Sequence, residues 1–187
     1  MTTEQVSKPV ALAVSMAEAK ETLRIEMDDT ALDATIAIWI KGITAHAEHE
    51  TGGAFVNRPV RLALDSFHDA LRLDRSPAFS VEAVRYMDVD GQMQTLDPTD
   101  YYVDKVTRPA YIVPARGKAW PATADHVNAV VVEYTSGYGP DHTTVPDAAN
   151  LYILARLAEL FDPAAREFKE TQASAFVGKL LESIQVY

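Results

Sequence analysis

Cysteine is absent from the 187 residues. That absence removes disulfide frameworks, thiolate nucleophiles and Cys-based zinc sites together. Glycine is sparse and proline ordinary, at 8 and 10 residues, which excludes collagen-like and low-complexity character. Basic residues are also in short supply: 17 Lys and Arg face 27 Asp and Glu, for a net charge of −10. A protein that wraps nucleic acid needs Lys and Arg to displace counterions from phosphates, and this chain has the opposite balance. Long apolar runs are missing too. Pro9 to Val14 is too short for a signal-peptide core and has no basic leader. No stretch approaches the roughly 20 apolar residues of a membrane helix. The expectation is a chain that stays in the cytoplasm of its maker. What remains is 48% hydrophobic, ordinary for one globular domain or one domain with a sizeable insert.

Hydropathy patterning divides the chain into helical and strand-like stretches. Met1 to Ser7 is polar and reads as a loose arm. Ser15 with Glu18 has the form of a capping box, opening a helix through Leu23 and Ile25. Asp28 and Asp29 precede a longer helix whose apolar stripe runs Leu32, Ile36, Trp39, Ile40, Ile43 and Ala47, closed by Gly52 and Gly53. A second stripe, Ala31, Ala34, Ile38 and Ala45, lies nearly opposite the first. A helix apolar on two sides is covered on two sides, either within the monomer or by a neighbouring subunit.

From Asn57 to Ser136 the pattern switches to short alternating runs with turn residues between them. Val60 to Leu64, Leu71 to Leu73, Tyr101 to Val103 and Tyr111 to Val113 read as strands. Val81 to Met87 and Met93 to Leu96 read as a hairpin around Asp90-Gly91. Ala129 to Tyr134 is the most apolar run and the expected central strand. Helix returns after Val145-Pro146-Asp147, and Ala148 to Phe161 is apolar almost throughout, as in a helix central to a core or sandwiched between subunits. A charged helix from Ala164 to about Ala173 is expected next. The fold class is therefore α+β: two N-terminal helices (9–52) and one or two C-terminal helices (145–175) around an inserted antiparallel β-rich block (57–136), with a tail at 176–187.

The chemistry-bearing residues form no strong constellation. P-loop, GxGxxG, GxSxG and HExxH motifs are all missing. His46, His49 and Glu50 have helical spacing that would let them share a metal, giving a metal-dependent hydrolase as one reading. Against it, histidines near a helix C-terminus are favoured by the dipole alone. Asp97, Asp100 and Asp104 sit near turns, where Asp is common for turn reasons. Gly137-Tyr138-Gly139-Pro140 lacks the Lys and Ser/Thr of a phosphate loop. Trp120 is either a satellite core contact or a partner anchor. The tail carries Phe176, Leu180, Leu181, Ile184, Val186 and Tyr187, six large apolar groups in twelve residues. Such a segment orders on a partner, as helix or strand, or packs back on its own domain.

Taken in order, several weak motifs resemble the head–tail connector (adaptor) proteins of tailed phages and phage-derived particles. They are Ser15 to Lys20 with Leu23-Arg24-Ile25, Asp28-Asp29, Glu50-Thr51-Gly52 and Asn57-Arg58-Pro59-Val60. Leu64-Asp65-Ser66-Phe67, Leu71-Arg72-Leu73, Val81 to Val84, Leu96-Asp97-Pro98, Trp120-Pro121, Tyr134 to Gly139 and Val145-Pro146 continue the series. The resemblance spans roughly residues 9 to 160, and the stretch from Phe161 onward departs from it. It implies a non-enzymatic homo-oligomeric ring of twelve copies, without cofactor or metal, in the virion neck at the portal vertex. Its partners would be the portal protein and a tail-completion or head-closure protein, with DNA only passing through the lumen. A related neck or head-closure protein at another level is the neighbouring reading. In the ring, Ala31, Ala34, Ile38 and Ala45 are the expected subunit contacts, and Phe176, Leu180, Leu181, Ile184, Val186 and Tyr187 the expected portal contacts.

Overall fold

The computed structural model describes residues 2–162 and 173–186. The charged helix expected over 164–173 falls almost wholly outside these residues, as does Tyr187. The chain forms two compact units: a helical unit of Val10–Val56 and Tyr138–Val186, and a strand-rich unit of residues 2–9 and Asn57–Gly137.

In the helical unit, α1 spans Met16–Leu23, α2 Asp33–Thr51, α3 Asp147–Phe161 and α4 Ala173–Lys179, followed by a 3₁₀ turn at Leu180–Ile184. The expected capping box is present. Ser15 Oγ accepts from Glu18 N at 3.1 Å, and the Glu18 carboxylate accepts from Ser15 N at 2.8 Å. α1 stops at Arg24, which takes the left-handed conformation at φ 58°. α2 begins later than its stripe suggests. Asp29 Oδ1 accepts from Ala31 N at 3.0 Å, a turn that keeps Ala31 and Leu32 ahead of the helix. Lys20 holds this corner: although only 3% exposed, its ammonium donates to Asp29 O at 2.8 Å and Met27 O at 3.2 Å, and pairs with Asp33 at 2.8 Å. A buried ammonium is tolerable only when its donors are satisfied in this way.

Around these supports the core closes on Ile36, Ile40, Ala149, Tyr152, Ile153 and Leu157. At the far end of α2, Glu48 is buried and its Oε1 accepts from Phe55 N at 2.7 Å. That bond fixes the turn after Gly52, where φ is 71°. Gly139 is required in the loop before α3, since an added Cβ would lie 2.4 Å from Thr144 Oγ1.

The strand-rich unit holds two antiparallel sheets. One has the order β1-β2-β8-β4-β5, and the other β3-β7-β6. The strands are β1 Thr2–Gln5, β2 Arg58–Leu64, β3 Leu71–Leu73, β4 Ala78–Met87, β5 Met93–Thr95, β6 Tyr101–Asp104, β7 Ala110–Pro114 and β8 Val130–Ser136. β8 is central, as expected of the most apolar of the strand-like runs. The N-terminal arm is not loose. Thr2–Gln5 pairs with β2 in the register Thr2↔Ala63 to Gln5↔Val60. Backbone bonding to a free sheet edge needs no apolar pattern, so hydropathy could not announce it. Leu62, Leu64, Leu71, Leu73, Ile112 and Val132 form this unit's core.

Candidate assembly surface

Of the carboxylates near turns, Asp97 and Asp104 form turns, whereas Asp100 pairs with Lys118 at 3.0 Å. Asp97 Oδ1 accepts from Thr99 N at 2.8 Å, and Asp104 Oδ1 from Val106 N at 2.9 Å. Those hydrogen bonds hold both carboxyls below the ordinary range. His46 pairs with Glu50 at 3.4 Å, but His49 does not join them. No group of three or more potential ligands converges on a metal-sized site among the described residues. Trp120 stacks on Phe67 with centroids 4.7 Å apart and planes 7° from parallel, and Phe67 also meets Tyr86 at 5.7 Å. It belongs to the edge of the strand-rich core. At the end of β8, Gly137 sits at φ 142° with Asn57 N only 2.5 Å from where a Cβ would be. The glycine run is a packing requirement.

What stands out instead is apolar surface on the helical unit. The stripe along α2 is solvent-facing: Ala34 and Ala45 are exposed, and Ile38 is 68% exposed. Ala31 is exposed as well, but it lies in the turn before α2 and not on the helix. Gly42 is the member that hydropathy missed. A Cβ there would meet nothing within 4 Å, so the α2 backbone is open to approach beside Ile38.

Next to this stripe, α2 and α3 enclose an open groove of about 480 Å³. Ile38, Gly42 and His46 form the α2 wall, and Tyr152, Arg156 and Leu160 the α3 wall. The Arg156 guanidinium lies 5.4 Å from the Tyr152 ring centroid and donates to Glu159 at 2.8 Å. The Glu159 hydrogen bond raises its pKa further. Both charges are thus internally neutralised, leaving a groove that is apolar with a fixed polar rim. On α3, Leu151 is 48% exposed, flanked by half-buried Leu154, Ala155 and Ala158.

The tail is not free surface. Leu181 is 4% exposed within the helical core, with Leu180 and Ile184 packed against it. Val186 N donates to Thr51 O at 2.8 Å, and Gln185 Nε2 to Glu50 O at 3.3 Å. Of the two readings of the tail, docking on a partner and packing back on its own domain, Leu180, Leu181 and Ile184 have the second arrangement within this chain, in a 3₁₀ turn packed on the helical core. Of the five tail residues that are described, Phe176 alone is strongly exposed, at 61%.

Comparison with known proteins bears on the fold that carries this surface. No family model matches the chain. No curated protein matches it either. Solved structures do. A chain in the virion of a native gene transfer agent particle aligns with TM-score 0.78 and 22% identity, over 100% of this chain and 96% of that one. A chain in the neck of the empty particle, computed with C6 symmetry, gives 0.76 and 22% over the same shares. One in the neck of the native particle, computed with C12 symmetry, gives 0.69 and 21%, again over 100% and 96%. The chain therefore shares its fold with these chains of gene transfer agent particles. No helix among the described residues is long and apolar enough to cross a membrane.

Proposed function

We propose that this chain is a structural head–tail connector (adaptor) of a tailed phage or phage-derived particle. It forms a homo-oligomeric ring in the virion neck, between the portal protein and a tail-completion or head-closure protein. DNA passes through the lumen, and no reaction is catalysed. The observation that carries this reading is the full-length fold likeness to chains from symmetric particle necks. The exposed α2 face supports it, since Ala34, Ile38 and Ala45 offer small, flat contact beside one large side chain. Ala31 extends that face through the preceding turn. Phe176 is the tail residue best placed to reach the portal, while Leu180, Leu181, Ile184 and Val186 support it from within.

The test is co-expression with the portal protein of the same particle, followed by affinity capture and electron microscopy. A ring of this chain stacked on the portal is the expected result. A ring that binds only the tail-side proteins would reassign the chain to head closure. A monomer that captures neither would refute a neck role.

A further inference from the structure

A closed ring needs two different faces per subunit, one fitting the other, because a single self-complementary patch closes a dimer and stops. The α2 face supplies one. We propose that the second is the outer stripe of α3, so that Leu151 of one copy seats beside Ile38 and Gly42 of the next, in the α2–α3 groove. This pairing rests on the ring reading above and specifies how that ring is joined.

Charge selects these two surfaces. The helical unit contains 7 basic and 15 acidic residues, a net −8, whereas the strand-rich unit contains 10 and 12, a net −2. Two helical units therefore repel over most of their area. The exceptions are few. From Ala148 to Ala155, α3 carries no charged residue, and from Ala34 to Ala47, α2 carries only Lys41, a cation. Lys41 is exposed and follows Ile38 by three positions; exposed Asp147 precedes Leu151 by four. Each apolar side chain thus has a charge one turn away on its own helix, of opposite sign on the two surfaces. Docking Leu151 beside Ile38 can bring Asp147 toward Lys41. Shape agrees as well. Ile38 stands between small residues, and Leu151 stands beside Ala155 and Ala158, so each large group faces a stretch where the other backbone can come close. The stripe and the groove wall lie roughly 130° apart around α3 at 100° per residue, so one copy can use both faces at once.

The experiment mixes two variants, Ile38→Glu and Leu151→Glu, each at an exposed position. Alone, each should raise the concentration for half-assembly at least tenfold over wild type, measured by sedimentation velocity. Mixed one to one, they should give a capped heterodimer, because each retains the face the other has lost. Lys41→Glu and Asp147→Lys should each weaken assembly, and the double variant should restore it. Thermal unfolding checks that every variant folds; if a Glu variant does not, the charge pair carries the test alone. Wild-type rings with no heterodimer and no charge rescue would overturn this pairing while leaving the ring intact. Wild-type protein that forms no ring, with or without portal, would overturn the ring reading and this pairing with it.

Discussion

Lys20 shows how one side chain sets a corner of the fold. Its ammonium replaces water with two carbonyls and the Asp33 carboxylate, at 2.8 to 3.2 Å. Lys20→Ala would leave those acceptors without their cation and should lower unfolding free energy by about 3 kcal/mol. Urea denaturation measures this, and a double-mutant cycle with Asp33→Ala should show coupling of the two sites. Tyr134 is the counterpart in the strand-rich unit. It is 1% exposed, and its hydroxyl accepts from Arg75 N at 3.2 Å. Burial pushes its pKa up to about 12. Because the folded value is the higher one, its contribution is complete below the unfolded value of about 10. That contribution is then lost as pH rises toward 12. Tyr134→Phe should cost about 1 kcal/mol at neutral pH through the lost hydrogen bond. Wild type should forfeit its advantage over Tyr134→Phe between pH 10 and 12. A stability difference that stays constant across that window would show that the phenol does not titrate as a buried group.

At the level of elements, the tail argues for separating what packs from what is presented. Leu181 is buried against the helical core, so Leu181→Ala should cost roughly 2–4 kcal/mol by leaving a cavity. Phe176 is exposed, and Phe176→Ala should change stability by less than about 0.5 kcal/mol. If the portal contact is real, that same variant should weaken capture by the portal. Equal losses of stability from both variants would place Phe176 in the core as well. Period and capping made most elements legible in the sequence: Ser15 with Glu18 marked α1, the alternation from Val60 to Leu64 marked β2, and the apolar run before Ser136 marked the central strand. Three features were not legible, each for a physical reason. β1 is held mainly by backbone bonding, to which hydropathy is blind. The late start of α2 depends on an Asp29 side-chain bond rather than on periodicity. The anchored tail depends on long-range contacts with α2 and α3, whereas its local spacing suited helix and strand alike. The candidate surface was half visible: Ile38 with Ala34 and Ala45 could be read from spacing, but the opening at Gly42 and the groove beside it are tertiary facts.

For the whole molecule, charge decides how the proposed ring would treat DNA. Each chain carries −10, most of it on the helical unit, and the proposed ring would multiply that charge around its axis. A phosphate backbone entering such a ring meets like charge, so few counterions are released and little affinity is gained. In the proposed ring, DNA would be free to slide, which is what a conduit requires and what a clamp forbids. Local basic positions such as Arg61 and Arg85 share Glu133, at 3.3 and 3.1 Å, leaving one net positive charge there against the −10 of the chain. The assembled ring should therefore bind duplex DNA weakly or not at all at physiological salt. Fluorescence anisotropy with a labelled duplex, from about 50 to 200 mM salt, measures this directly. A flat, near-zero signal is the expected outcome. A curve that falls steeply with salt, reporting several phosphate contacts per subunit, would mean that the lumen is lined by cations despite the net charge. The ring would then hold its DNA rather than let it through.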